Sequence, residues 1–143
     1  MKIQIKRFDQ TLPLPEYKTP GAAAFDLVAR LEVTIAPQQV VLVPLNVALQ
    51  LPDDHFALLV ARSSLHKKGV MMANGVGVGD ADYCGDDDEY RAALFNFTNE
   101  PVTIAKGDRI VQMIILPRTK VVFTEVEKLV AQSRGGFGST GEK

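Results

Sequence analysis

Apolar and polar residues along this chain repeat mostly with a period of two rather than 3.6. In EVTIAPQQVVLVPLNVALQLP, residues 32–52, short β-branched runs are punctuated by Pro37, Pro44 and Pro52, and AALFNFTNEPVTIAKGDRIVQMIILP, residues 92–117, repeats the arrangement. Such alternation bounded by proline and glycine predicts strands. KIQIKRF near the start, FALLVAR at 56–62, VGV around residue 77 and VVFTEVEKL at 121–129 predict further strands. In SLHKKGVMMA, Gly69 and the short length predict a single turn or a loop rather than a helix. The pattern predicts an all-β sandwich or barrel of many short strands. The last twelve residues, QSRGGFGSTGEK, hold four glycines and little apolar content, which predicts a flexible tail. The expected division is a β domain over 1–131 and a C-terminal lid over 132–143.

With 143 residues, 46% of them hydrophobic, the chain is long enough for one domain with a sizeable core. Sixteen basic against seventeen acidic residues leave no electrostatic footprint for nucleic acid or an anionic membrane. A small or acidic ligand stays open. Cys84 is the only cysteine, which excludes an intrachain disulfide and a multi-cysteine zinc site and fits a reducing compartment. MKIQIKRFDQ lacks the apolar core of a signal peptide, and no run approaches eighteen apolar residues. The expectation is a soluble cytoplasmic protein.

Against that balanced charge, NGVGVGDADYCGDDDEY at 74–90 carries six carboxylates and no basic side chain. Asp80, Asp82 and Gly85 imitate the opening of an EF-hand calcium loop, but Cys84 and Arg91 stand at the fifth and twelfth positions, and that reading fails. Asp86, Asp87 and Asp88 are expected to be solvated turn charges. The preceding apolar and glycine-rich segment predicts a tight hairpin, with Asp80 and Asp82 on one face and Ala81 and Tyr83 on the other unless a bulge intervenes. ARSSLHKKG sets Arg62, Ser63 and Ser64 beside two lysines, a chemistry suited to phosphate because arginine offers a fork and hydroxyls and turn amides add donors. GGFGSTG adds Ser139, Thr140 and Phe137, an aromatic able to stack on a flat ring. Taken together, a phosphate-seeking loop, a carboxylate and an aromatic-bearing lid suit a nucleoside phosphate hydrolase. His55 and His66 lack metal-ligand spacing and are expected to be ordinary surface or satisfied histidines.

Five segments in order, TPGAAAFDLVA, ARSSLHKKGV, NGVGVGDADYCG, KGDRIVQMIILP and RGGFGSTG, resemble the five motifs of the trimeric dUTP diphosphatases (dUTPases) over nearly the whole chain. The resemblance implies a β jelly-roll subunit, a homotrimer with sites shared between subunits, and hydrolysis of dUTP to dUMP and pyrophosphate with Mg²⁺. By that resemblance Asp80 activates the water that attacks the α-phosphorus. Tyr83 packs under the deoxyribose and refuses a 2′-hydroxyl. Asn74 reads uracil, and Gly75, Gly77 and Gly79 allow close approach of the backbone. Arg62, Ser63, Ser64 and Gln112 hold phosphates, and Asp26 reaches Mg²⁺ through water. Arg134, Phe137, Gly138, Ser139 and Thr140 are the implied substrate contacts of the closing tail, and Asp82 is implied to tie down the hairpin. The match departs from the family at Ala24, Phe25 and Ser64, in the three extra residues Asp86–Asp88, and in a tail shorter between Arg134 and GGFG. RSSL is also similar to the dCTP deaminases, so deamination, alone or combined with dUTP hydrolysis, is one alternative; a catalytically silent nucleotide sensor is another.

Overall fold

The computed structural model describes residues 1–133 and Gly135. Eleven strands form among the described residues: β1 Gln4–Arg7, β2 Phe25–Val28, β3 Val33–Ile35, β4 Val40–Pro44, β5 Val47–Gln50, β6 His55–Ala61, β7 Val70–Met72, β8 Gly77–Gly79, β9 Arg91–Asn96, β10 Val102–Ile104 and β11 Arg109–Pro117. They pair antiparallel in four sheets, ordered β1-β5, β3-β10, β2-β11-β6-β8 and β4-β9-β7, around one core. The only helical piece among the described residues is a 3₁₀ turn over Leu65–Lys68, closed by Gly69 in a left-handed conformation. The architecture is the all-β jelly roll that the residue pattern and the resemblance led us to expect, and none of its described elements is a helix long and apolar enough to cross a membrane.

Alternation fixes which side chains enter the core. On β6, Ala57 and Leu59 point inward and are buried, while Phe56, Leu58 and Val60 face the other way and are half-buried. On β11, Met113 is fully buried, and Gln112, Ile114 and Leu116 share the outer face with the outward side chains of β6. Over most of β6 and β11 both faces are therefore apolar, which is why FALLVA and VQMIIL read as nearly continuous apolar runs. Between β4 and β5 the chain turns at Asn46, which adopts φ +70° and is 1% exposed. Asparagine tolerates this region better than most residues, and both ends of its side-chain amide are engaged: Oδ1 accepts from the Asp9 amide at 2.7 Å and Nδ2 donates to the Asp9 carbonyl at 3.1 Å.

Three sequence expectations need correction. The segment after Val70 is not a hairpin of its own: β7 pairs with β9 and β8 pairs with β6, so the chain changes sheets through the turn at 73–76. Tyr83 does not oppose Asp80 in strand alternation, because the chain turns at 80–83 and the Tyr83 amide donates to the Asp80 carbonyl at 3.2 Å. VVFTEVEKL forms no strand, since it meets no partner edge among the described residues of its own chain; Val122 and Phe123 are more than nine-tenths exposed.

Candidate functional site

The sheet order puts candidate residues in two places. One is a cleft of about 320 Å³ beside β8, lined by Leu59, Asn74, Gly77, Asp80, Tyr83 and Tyr90 among others. Asp80 leaves the end of β8 and is exposed, and Asn74 is exposed on the turn before β8. That turn uses Gly75 for its φ of +68°, and a side chain there would meet no other part of the chain. At Gly79 a Cβ would stand 2.5 Å from the Tyr90 ring, so the close approach there is to a neighbouring side chain. Tyr83 is 39% exposed, and its hydroxyl donates to the Glu89 carbonyl at 3.0 Å. Its ring meets Tyr90 edge to face at 5.5 Å. Asp82, by contrast, is exposed and makes no hydrogen bond among the described residues; Asp88 ties the loop instead, accepting from the Gly85 amide at 2.7 Å. Asp86 and Asp87 are exposed as expected, and Lys6 Nζ donates to the Asp86 carbonyl at 2.7 Å.

The second place is the junction of β2, β6 and β11. Asp26 on β2 accepts from Arg62 Nε at 2.8 Å and from Arg109 Nη1 at 3.0 Å, one arginine on each carboxylate oxygen. Gln112, paired across β11 with Asp26, donates to the Ala61 carbonyl at 3.1 Å. Ser63 is exposed and Ser64 half-buried at the entry to the 3₁₀ turn. Two guanidinium groups on one half-buried carboxylate leave several N–H donors for an anion, so this corner suits phosphate. Arg109 lies in KGDRIVQ and was missed in the sequence; its spacing from Asp26 is visible only once β2 pairs with β11.

No group of three or more His, Cys, Asp or Glu among the described residues is arranged to cage a metal ion. Asp26 keeps acceptor capacity beyond its two arginine bonds, since a carboxylate offers about four lone-pair sites, and this suits contact with a hydrated cation through water rather than direct ligation. His55 Nδ1 lies 2.6 Å from Asp54 Oδ1 and His66 is exposed, so both histidines are ordinary, as read. Arg134, Phe137, Gly138, Ser139 and Thr140 lie outside the described residues.

The two places are separated within one chain. β8 runs antiparallel to β6 with Gly79 opposite Ala57, so Asp80 falls beside Phe56, whereas Arg62 follows the far end of β6. Six residues of strand set them about 20 Å apart.

The profile of the dUTPase family matches residues 10–141. The deoxyuridine 5′-triphosphate nucleotidohydrolase of Desulfitobacterium hafniense is 45% identical over 147 residues, covering 99% of this chain and 95% of the relative. Among solved structures, the dUTPase of Streptococcus mutans superposes with a TM-score of 0.76 at 28% identity, covering 83% of this chain and 98% of that one. A mutant dUTPase of Staphylococcus bacteriophage 80alpha, solved with dUpNHpp, superposes with a TM-score of 0.84 at 23% identity over 99% of both chains.

Proposed function

We infer that this chain, which belongs to the dUTPase family, hydrolyses dUTP to dUMP and pyrophosphate. The observation that carries the reading at the level of chemistry is the cleft in which the Asp80 carboxylate shares one wall with Asn74, Gly77 and Tyr83. Asp80 takes a proton from water, the water oxygen bonds to the α-phosphorus, and the bond to the bridging oxygen breaks to release pyrophosphate. Asn74 and the backbone around Gly77 hold uracil, where a narrow turn leaves no space for a larger base. Tyr83 walls the deoxyribose and refuses a 2′-hydroxyl.

Arg62, Ser63, Ser64 and Gln112 bind the phosphates, with Arg109 as an additional cation at the same corner. Asp26 would meet Mg²⁺ through water, and the ion would supply neutralisation of the phosphate charge. Arg134, Phe137, Gly138, Ser139 and Thr140 belong to a lid over residues 132–143 that closes on the nucleotide.

The working unit is a homotrimer. One triphosphate cannot reach both Asp80 and Arg62 of the same chain across about 20 Å of strand, so the reading requires copies that combine the β8 cleft of one with the phosphate corner of another. Three features support association: the apolar outer face of β6 and β11, Val78 beside it at 64% exposure, and the apolar arm at 121–130. Exposed apolar surface of this kind suits an interface.

Deamination is disfavoured because β9, which follows the third motif, carries no glutamate, and the adjacent Glu89 has both carboxylate oxygens bound by Arg30. The test is pyrophosphate release with Mg²⁺ from dUTP, UTP, dTTP and dCTP, with ammonia followed for dCTP. Release from dUTP alone is expected. Ammonia from dCTP would move the chain to the deaminase branch, and no release from any substrate would leave a nucleotide sensor.

A further inference from the structure

Tyr83 sits in an irregular loop, yet the group that anchors it is held from outside the cleft. Its hydroxyl donates to the carbonyl of Glu89, and its ring leans on Tyr90. The Glu89–Tyr90 dipeptide is in turn fixed from three directions. The Tyr90 amide donates to the Val47 carbonyl and its carbonyl accepts from the Leu45 amide, both at 2.9 Å. The Glu89 side chain, 4% exposed, accepts from Arg30 Nε at 2.7 Å and from the Asn46 amide at 2.8 Å on Oε1, and from Arg30 Nη2 at 2.8 Å on Oε2. Arg30 itself is anchored by its amide on the Pro44 carbonyl at 2.8 Å and lies against the Phe8 ring at 5.7 Å.

We propose that Arg30 is a positioning residue for sugar discrimination, acting through the buried Glu89 carboxylate on the loop that carries Tyr83. The inference rests on the reading of Tyr83 as the wall against the 2′-hydroxyl. A planar two-pronged contact fixes a carboxylate in orientation as well as distance, which a lysine at the same place does not. Loss of Arg30 leaves a buried carboxylate without its counter-ion; Glu89 then moves, and its carbonyl carries the Tyr83 hydroxyl with it. A wall displaced by a fraction of an ångström still admits dUTP but no longer refuses UTP. Refusal fails before catalysis does, because Asp80 follows β8 directly and meets the clamp only through its carbonyl, which accepts from the Tyr83 amide.

The experiment measures kcat and KM for dUTP and UTP, with thermal midpoints, in Arg30→Met, Arg30→Lys, Tyr83→Phe, the Arg30→Met/Glu89→Met double variant and the Arg30→Met/Tyr83→Phe double variant. Replacing both members of the ion pair by apolar side chains removes the clamp without stranding a charge and leaves only the Asn46 amide to find another acceptor, so the proposal stays testable if Arg30→Met does not fold. In Arg30→Met and in Arg30→Met/Glu89→Met the ratio of kcat/KM for dUTP over UTP is expected to fall about tenfold or more, with kcat on dUTP within about threefold of wild type. Arg30→Lys should restore little of the ratio. Tyr83→Phe should lower the ratio comparably, and its combination with Arg30→Met should lower it no further, as for two changes on one path. An unchanged ratio in the clamp variants, whatever their thermal midpoints, overturns the proposal, as do losses that multiply. A wild-type protein that does not prefer dUTP to UTP would overturn the reading of the site itself, before any variant is made.

Discussion

Asp80 and Tyr90 line the same cleft, and the loss of one polar function has opposite consequences at the two positions. Asp80→Asn keeps size and shape but removes the proposed base, so dUTP binding should persist while turnover drops by roughly 10²–10⁴-fold. Equilibrium titration with dUTP beside a pyrophosphate assay checks both halves, and near wild-type turnover would dismiss Asp80 as the base. The Tyr90 hydroxyl is buried without a hydrogen-bond partner among the described residues. Tyr90→Phe deletes that oxygen and should stabilise the fold by about 1 kcal/mol, read as a raised thermal midpoint; a lowered midpoint would mean that the hydroxyl has a partner. Burial, with the phenol of Tyr83 and the carboxylate of Asp80 nearby, pushes the Tyr90 phenol from 10 up to about 12. The folded chain therefore holds this proton more tightly than the unfolded one. Its contribution is complete below pH 10 and is lost as pH rises towards about 12. Urea midpoints across that window should fall more steeply in wild type than in Tyr90→Phe.

At the scale of elements, strand existence was legible in the sequence because alternation and proline punctuation report burial directly, as on β6 and β11. Strand partners were not, because pairing is a long-range choice: β7 and β8 are only four residues apart and still join different sheets. The same limit hid Arg109, whose meeting with Asp26 depends on β11 lying beside β2. Tyr83 and Asp80 were found through their motif, but the turn between them was read as strand alternation, although Asp80 at its first position is a common turn residue. The arm at 121–130 has a strand's pattern without a strand's partner in its own chain. Residues 134–143 carry motif chemistry rather than core-forming side chains, so deleting them should cut turnover sharply while leaving the thermal midpoint near wild type. A truncated protein that melts much earlier, or that turns over dUTP normally, would refute the lid.

At the scale of the whole molecule, the separation of Asp80 from Arg62 along β6 makes a prediction that no single-chain property makes. If each site takes Asp80 from one copy and Arg62 from another, the contact between copies is heterologous and closes as a ring, of three in the proposed trimer. Asp80→Asn and Arg62→Ala chains are then each inactive alone, because every site in either homotrimer lacks one group. Unfolded together and refolded as an equal mixture, they should regain activity. A site is intact only when its Asp80 comes from the Arg62→Ala chain and its Arg62 from the Asp80→Asn chain, a chance of about one in four for random assembly on a closed ring. The expected result is a pyrophosphate signal near a quarter of the wild-type value per site, absent when the two proteins are mixed after folding. Activity that never exceeds the sum of the parents would mean that one chain supplies both groups, and the β6 register would then have to differ in the working enzyme.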